Sequence, residues 1–339
     1  MAQERQKRII DANPPRDFKS RFMRWETLLL ALLLGVIIMN SSLSPNFLVA
    51  QHLFTNINTF LVRGLVALTM TYCLLLGEID LSVGSIVVLA ATILGVVFNA
   101  TGSAQLGMIA AIALGGLCGM LNGLILTRFK ELHSMIVTLG TMILFRGFAE
   151  RILGAEAVGG MRTVTWFAGL FDTRIGPVPY FFIFFCVLAC GFWFVMHKTT
   201  FGRHMFATGE NSAAAIYAGI NVSKTRIAVF TLSGLMCGVS AIMFASWTGS
   251  IRSNVGEGYE IEAIAMCVLG GMSTAGGKGS FLGVLIAIFT IGLLQFGLSL
   301  RNVNPQTVQI IIGLLLITVV TMQNVRKVIG KKIAQAARN

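Results

Sequence analysis

Two carboxylates stand between long apolar segments in residues 77–85, GEIDLSVGS. An ionised carboxylate at the centre of a bilayer costs about 2.5–3.5 kcal/mol on insertion scales, so such residues tend to serve a function or lie near an interface. Glu78 and Asp80 therefore allow two interpretations. They belong to a turn that caps the following helix, or they mark a helix break along a solute pathway, where Asp80 and Ser82 satisfy exposed backbone groups.

A second polar segment, residues 202–222 (GRHMFATGENSAAAIYAGINV), separates two other apolar stretches. Its alanine-rich part favours a helix over residues 213–218, which Asn211 or Ser212 would cap and Gly219 would end. Such a short helix at a membrane surface presents small side chains for docking. If the membrane domain has no motor of its own, we expect a partner protein to push on this helix.

A glycine-rich segment at residues 270–280, GGMSTAGGKGS, raises the question of nucleotide binding. A phosphate-binding loop requires Gly, four residues and then Gly-Lys-Ser/Thr. Met272 stands where the first Gly is required, Gly279 stands where Ser or Thr should bind magnesium, and no strand precedes the segment. We therefore predict no nucleotide site in this chain, so an ATP-driven step would need a separate polypeptide.

The segments 77–85 and 270–280 also share a pattern, because each has a Leu-Gly step and then a Gly-Ser step before an apolar helix. Paired glycine-rich interruptions are typical of transporters built from repeats with discontinuous helices, although chance explains so short a match equally well. The predicted helix breaks are Gly77, Gly84, Gly270, Gly271, Gly276 and Gly277.

Glycines at four-residue spacing occur in two of the apolar segments. Gly115, Gly119 and Gly123 form one series, and Gly234 with Gly238 forms another. Small residues at this spacing let helix backbones approach closely within a membrane. The pattern predicts close helix packing at both places.

Composition places the chain in a lipid environment. Apolar residues make up 55% of its 339 residues, charged residues make up 12%, and the mean hydropathy is +0.79. A soluble domain could not cover that apolar surface with so few charges. The net charge of +12 does not indicate nucleic-acid binding, because basic residues concentrate at the two ends without interleaved aromatic residues. The six cysteines and four histidines show no metal-ligand spacing, and no catalytic grouping occurs.

Apolar segments of sufficient length predict about ten membrane-spanning helices. They are residues 26–44, 58–76, 83–99, 105–127, 134–153, 179–197, 226–248, 259–271, 280–299 and 305–323. Because 259–271 is short, eight or nine full crossings with broken ones are an alternative. With ten spans, nineteen basic residues fall inside, counting Arg226 at a loop edge, and four fall outside, which favours cytoplasmic termini. The predicted layout is a basic segment 1–25, a transmembrane domain 26–323 with a cytoplasmic loop 198–225, and a basic tail 324–339.

Four stretches, in order, resemble the permease subunits of bacterial ABC importers for monosaccharides, the ribose, xylose, galactofuranose and autoinducer-2 group. They are GEIDLSVGSI at 77–86, NGLILTRFKELHSMIVTLGTMILFRGFA at 122–149, GRHMFATGENSAAAIYAGINV at 202–222 and EAIAMCVLGGMSTAGGKGSFLG at 262–283. The resemblance extends over residues 25–322. Glu78 stands where the family usually has Gly, and residues 131–134 stand where it has Pro-rich apolar residues, so the chain departs from the family at the inner mouth.

The resemblance implies an all-α polytopic membrane protein of about ten transmembrane helices, some broken, with a cytoplasmic coupling helix. It also implies a complex of two permease chains, identical or paralogous, two ATP-binding subunits and a periplasmic sugar-binding protein in the bacterial inner membrane. This chain would bind no cofactor and would not be an enzyme, because the partner ATPase would use ATP and Mg.

By the same resemblance, the coupling helix docks in a groove on the ATPase. Its expected contact residues are Glu210, Asn211, Ser212, Ala213, Ala214, Ala215, Tyr217, Ala218 and Gly219. The candidate residues of the translocation pathway are Asp80, Ser82, Asn122 and Thr138. Asn122 has a second interpretation, since a buried amide also joins helices by hydrogen bonds.

Two other transporter classes are alternatives. An ABC permease for branched-chain amino acids or nucleosides belongs to a related group. A secondary transporter driven by protons or sodium would use membrane carboxylates such as Glu78, Asp80 and Glu150, but it would leave residues 202–222 without a role. The sequence does not identify the sugar.

Overall fold

The computed structural model describes residues 25–43, 47–154, 157–304, 306–318 and 321. The basic residues predicted to lie before the first helix, and the predicted tail 324–339, fall outside the described residues. Helices dominate the described chain, and their bounds are α1 Trp25–Leu43, α2 Ala50–Leu75, α3 Val83–Thr101, α4 Ala104–Arg128, α5 Ser134–Leu153, α6 Thr165–Asp172, α7 Tyr180–Lys198, α8 Thr200–Glu210, α9 Ser212–Tyr217, α10 Val222–Thr248, α11 Tyr259–Leu269, α12 Phe281–Leu300 and α13 Gln306–Thr318.

The predicted all-α membrane fold is confirmed. Seven described helices are long and apolar enough to cross a membrane, namely α1, most of α2, α3, α4, α7, α10 and α12. The three other predicted spans correspond to α5, α11 and α13. α5 has 20 residues but carries Arg146, Glu150 and Arg151, whereas α11 has only 11 residues. The number of ten full crossings is therefore approximate.

Helix α2 forms the centre of the fold. In the span Leu53–Leu75, 89% of the most apolar stretch is buried inside the chain, against 17% for α1 and 28% for α7. The surrounding helices bond to its backbone: the Ser240 hydroxyl of α10 donates to the Val62 carbonyl (2.8 Å). The Tyr72 hydroxyl of α2 donates to the Phe192 carbonyl of α7 (2.6 Å). Most of the residues of α1 and α7 are not buried within the described chain.

Helix α4 packs closely against α10 through the two glycine series. A Cβ atom at Gly115 would overlap the Gly234 carbonyl, and one at Gly234 would overlap the Gly115 carbonyl. A Cβ at Gly238 would lie 2.7 Å from the Ile112 Cα. The close packing predicted from the four-residue spacing is confirmed.

A small cap of short elements follows α5. Strand β1 (Val158–Gly159) pairs antiparallel with β4 (Ser250–Ile251), and a 3₁₀ helix (Met161–Thr163) leads into α6. The hairpin of β2 (Arg174–Ile175) and β3 (Val178–Pro179) then leads into α7. The cap lies at the end of α10, where the Ser246 hydroxyl donates to the Phe167 carbonyl of α6 (2.7 Å).

Candidate functional site

The helical backbone is interrupted after α2, and we call residues 76–82 the first interruption. Gly77 has a φ of 78°, and the Glu78 N–H returns to the Cys73 carbonyl (3.0 Å), which ends the helix. Helix α3 begins at Val83, so Gly84 lies in its first turn. A side chain at Gly84 would overlap the Gly256 carbonyl, so this glycine provides space for a neighbouring segment.

The Asp80 carboxyl group and the Ser82 hydroxyl together anchor the first interruption to two other helices. Its Oδ1 accepts hydrogen bonds from the Ser82 backbone N–H (3.0 Å) and from the Ser82 hydroxyl (2.6 Å). Its Oδ2 accepts one from the Ser233 hydroxyl of α10 (3.2 Å). The Asn122 Nδ2 of α4 donates to the Ser82 hydroxyl (2.8 Å). Three of the four candidate pathway residues therefore belong to one hydrogen-bonded cluster.

The fourth candidate, Thr138, holds the same segment from α5. Its hydroxyl accepts a hydrogen bond from the Leu81 N–H (3.1 Å) and lies 3.2 Å from the Ile79 carbonyl, to which it can donate. The Ile79 N–H donates to the Ser134 hydroxyl (3.1 Å). The side chains of the four candidates have no exposed surface in the described chain. Contact between any of them and a solute would require this packed segment to open.

Glu78 pairs with the Arg226 guanidinium of α10. Arg226 also donates to the Leu126 carbonyl at the end of α4 (3.1 Å). Burial raises the pKa of the Glu78 carboxyl, and the Arg226 charge opposes that rise. Both residues line a cavity of about 530 Å³ that also borders residues 130–134 and the start of α9. Arg226 was predicted only as one of the basic residues on the cytoplasmic side, and the structure makes it the partner of Glu78.

We call residues 270–280, between α11 and α12, the second interruption. Gly270 ends α11 with an ordinary φ of −65°, whereas Gly271, Gly276 and Gly277 have φ values of 91°, 87° and 70°. The Gly277 N–H donates to the Leu75 carbonyl at the end of α2 (2.8 Å). The second interruption is therefore bonded to the last residue of α2 and packs against Gly77 of the first interruption, although Leu75 and Gly277 are 202 positions apart in the sequence.

The end of α8 lies against both interruptions. A Cβ atom at Gly209 would overlap the Leu75 carbonyl and lie 2.5 Å from the Gly277 N atom. Next to this contact, the Lys278 ammonium group lies 3.0 Å from the Glu210 carboxylate in an exposed ion pair. The close approach at Gly209 requires a residue without a side chain, so glycine is needed there for packing.

Helix α9 follows directly and projects from the protein. The Asn211 side chain caps it by accepting a hydrogen bond from the Ala214 N–H (3.0 Å), and Gly219 ends it with a φ of 82°. Tyr217 is 93% exposed, and Ile216, which was not among the predicted contact residues, is 59% exposed. All but one of the nine expected contact residues are exposed, and the exception is Ala215.

The comparisons with known proteins agree with this architecture. The family model described as "Branched-chain amino acid transport system / permease component" matches residues 53–320. The protein named "Autoinducer 2 import system permease protein LsrD" from Escherichia coli (strain SMS-3-5 / SECEC) is 36% identical over 93% of this chain and 97% of its own length. The protein of that name from Shigella flexneri shows the same identity and coverage. No solved structure matches the chain. The chain, a multi-pass membrane protein, therefore belongs to this family of transport-system permease components.

Proposed function

We propose that this chain is the transmembrane subunit of an ATP-driven importer for a sugar-like solute. One observation carries the proposal: the exposed helix α9 directly follows α8, and the end of α8 packs against the end of α2 and the second interruption. A partner bound at α9 can therefore displace the ends of α2 and α11 and the start of α12 without any flexible linker. The import-system permeases to which the chain is similar support the same conclusion.

The transmission of movement would rest on backbone contacts. Gly209 lies against the Leu75 carbonyl, and Gly277 bonds to that same carbonyl. ATP binding and hydrolysis in the partner would move α8 and α9 as one lever and shift both interruptions together. The Asp80 cluster lies in the first interruption, so this shift would be the step that opens it.

The proposed import function implies several partners. Two ATP-binding subunits, a second permease chain and a periplasmic sugar-binding protein would complete the complex in the bacterial inner membrane. The termini and α9 would face the cytoplasm, which the distribution of basic residues favours. ATP and Mg would be used by the ATP-binding subunits, and this chain would contribute no catalytic group.

Two solute classes deserve direct comparison. The relatives are named for import of autoinducer 2, whereas the family model is described for branched-chain amino acids. The identity of 36% over 93% of the chain favours autoinducer 2 or a related monosaccharide as the first substrate to test.

Uptake by proteoliposomes tests the proposal. The chain would be purified with its ATP-binding subunit and the second permease chain, and supplied with the binding protein outside and ATP inside. Labelled autoinducer 2, D-ribose, D-xylose and leucine would be offered in parallel. ATP-dependent accumulation of autoinducer 2 or a sugar is the expected result. Accumulation of leucine alone would favour the amino-acid alternative, and ATP-independent uptake along an ion gradient would overturn the proposal.

Ala214→Arg tests the docking helix itself. Ala214 is exposed on α9, and a long charged side chain there would obstruct a closely fitting groove on the partner. We expect at least a ten-fold loss of copurified ATP-binding subunit and a matching loss of uptake. Thr173→Arg, in the exposed cap at the opposite end of α10 from α9, is the control and should assemble normally. Normal copurification and uptake in Ala214→Arg would remove α9 from the ATPase interface.

A further inference from the structure

An ion pair lies near the middle of the central helix α2. The Arg63 guanidinium Nη1 donates to both carboxylate oxygens of Glu262 on α11 (3.1 and 3.0 Å) and to the Gln295 side-chain oxygen on α12 (3.1 Å). Arg63 is about 15 Å from Leu53 and about 18 Å from Leu75 along the helix, since each residue rises 1.5 Å. Ionisable residues at such a depth are rare and usually mark a solute or ion pathway.

The pair faces a cavity of about 320 Å³. The Arg63 side chain retains 32% of its exposure and the Glu262 side chain retains 13%, so the cavity gives solvent access to both. Further polar lining comes from Asn56, Thr59, Gln295, Ser299 and Gln309, a second carboxylate comes from Glu257, and apolar lining comes from aromatic rings including Phe60 and Phe296. Pockets that bind small molecules commonly have this volume and combine apolar walls with a few polar groups that fix orientation.

The cavity lies on the half of the protein away from α9. Most of its lining residues come from the first half of α2, the first half of α11 and the second half of α12, and the others lie near the end of α10, before α11, and from the end of α12 into α13. The contacts around α9 involve the opposite ends of these same helices, at Leu75, Gly277 and the second interruption. One set of helices therefore connects the cavity to the proposed docking site for the ATPase.

The charges of the lining indicate the kind of solute. Arg63 pairs with Glu262, and Glu257, a third charged residue of the lining, lies 3.8 Å from Arg146. Each of these charges is opposed by a neighbour, so a charged solute would gain little there while losing its hydration. The carboxylate can still accept hydrogen bonds, and the guanidinium and the Gln295 amide can donate them. A compound with several hydroxyl groups fits both donors and acceptors, and its carbon skeleton fits the neighbouring aromatic rings.

We propose that this cavity is a subsite for an uncharged, hydroxyl-rich solute, with Arg63, Glu262 and Gln295 as its hydrogen-bonding groups. The inference rests on the proposed import function, and it places the solute at the side from which the binding protein would deliver it. The same residues also join α2, α11 and α12, so the experiment must separate solute contact from helix attachment.

Chemical labelling tests the cavity without requiring transport. Ser299→Cys places a thiol in the lining, and Thr290→Cys places one on the same helix at a buried position whose native hydroxyl bonds to the Ile286 carbonyl. A small, charged, membrane-impermeant thiosulfonate would be added to the binding-protein side of proteoliposomes. We expect Ser299→Cys to be labelled at least ten-fold faster than Thr290→Cys or the parent chain. An excess of autoinducer 2 or D-ribose should slow the labelling of Ser299→Cys. Absence of labelling at Ser299→Cys, or labelling that neither compound slows, would overturn the subsite.

Uptake by variant complexes separates the two roles of the ion pair. Gln295→Leu leaves the Arg63–Glu262 pair in place and removes one hydrogen-bonding group, whereas Thr290→Val is its control on α12. Among complexes that assemble in parental amounts, we expect uptake of labelled autoinducer 2 or D-ribose to fall at least ten-fold for Gln295→Leu and by less than two-fold for Thr290→Val.

The reversed pair, Arg63→Glu with Glu262→Arg, should restore assembly relative to either single variant without restoring uptake. Parental uptake by both Gln295→Leu and the reversed pair would make these groups structural only. If the parent complex accumulates nothing with ATP, the proposed function fails, and the labelling result still decides whether the cavity admits a hydroxyl-rich compound.

Discussion

Polar side chains in this protein differ in how many hydrogen-bond partners the chain gives them. Asp80 is fully buried and accepts three hydrogen bonds from Ser82 and Ser233. Asp172 is also an aspartate, but it is 52% exposed where it pairs with Arg162. Hydrogen bonds to charged groups contribute about 1.5–3 kcal/mol when buried, and exposed ion pairs contribute about 0–1 kcal/mol. The two positions therefore make a matched comparison.

Asp80→Ala should destabilise the protein by several kilocalories per mole, on the order of 3 kcal/mol, because two buried serine hydroxyls and one N–H lose their acceptor. Asp80→Asn should cost less, since its oxygen can still accept from Ser82 and its amide can donate to Ser233. Asp172→Ala should cost under about 1 kcal/mol. Unfolding midpoints of the detergent-purified variants provide the measurement. Equal midpoints for Asp80→Ala and Asp172→Ala would contradict the structural role of the Asp80 cluster.

At the scale of secondary structure, local patterns predicted the helices well. The segment 83–99 was expected as a span and α3 (Val83–Thr101) begins at the same residue, because the length of an apolar run sets the length of a membrane helix. The partners of the charged residues could not be predicted in this way. Arg63 and Glu262 are 199 positions apart, and Glu78 meets Arg226 on another helix. Helix packing decides those pairs, so only the presence of charge inside an apolar segment was available as a signal.

The contacts of the predicted pathway residues are partly local and partly set by helix packing. Asp80 and Ser82 are neighbours in the sequence, and hydrogen bonding between them is a local property of the turn. Their contacts with Asn122 and Ser233 depend on the approach of α4 and α10. The glycine spacing predicted that each of these helices packs closely, but it did not indicate that the two pack on each other.

Gly234→Ala tests that packing. A methyl group at this position would overlap the Gly115 carbonyl, so the two helices would have to separate. We expect a loss of about 1–3 kcal/mol, as is typical of overpacking in a tight interior. Gly140→Ala on α5 is the control, because nothing lies within 4 Å of a Cβ there, and the change should be neutral or slightly stabilising. Thermal midpoints in detergent would compare the two, and a stable Gly234→Ala protein would disprove close contact between α4 and α10.

Across the whole molecule, the two interruptions and the segment leading to α9 form one contact region, while the Arg63 cavity lies toward the other end. The exposed Glu210–Lys278 pair contributes little to this region, since such pairs are weak and screened by salt. The backbone contacts at Leu75, Gly209 and Gly277 cannot lengthen without separating α8 from α2. We therefore expect mechanical coupling to depend on the absence of a side chain at Gly209.

Gly209→Ala should uncouple ATP hydrolysis from uptake. The new methyl group would force α8 away from the Leu75 carbonyl and the Gly277 N atom, while leaving the exposed surface of α9 unchanged. Alanine is the better helix former, so a loss of function could not arise from a weakened α8. We expect normal copurification of the ATP-binding subunit, continued ATP hydrolysis and at least ten-fold lower uptake in proteoliposomes. Gly191→Ala on α7, where a Cβ meets nothing within 4 Å, should transport normally. Parental uptake by Gly209→Ala would mean that force from the ATPase reaches the membrane helices by another route.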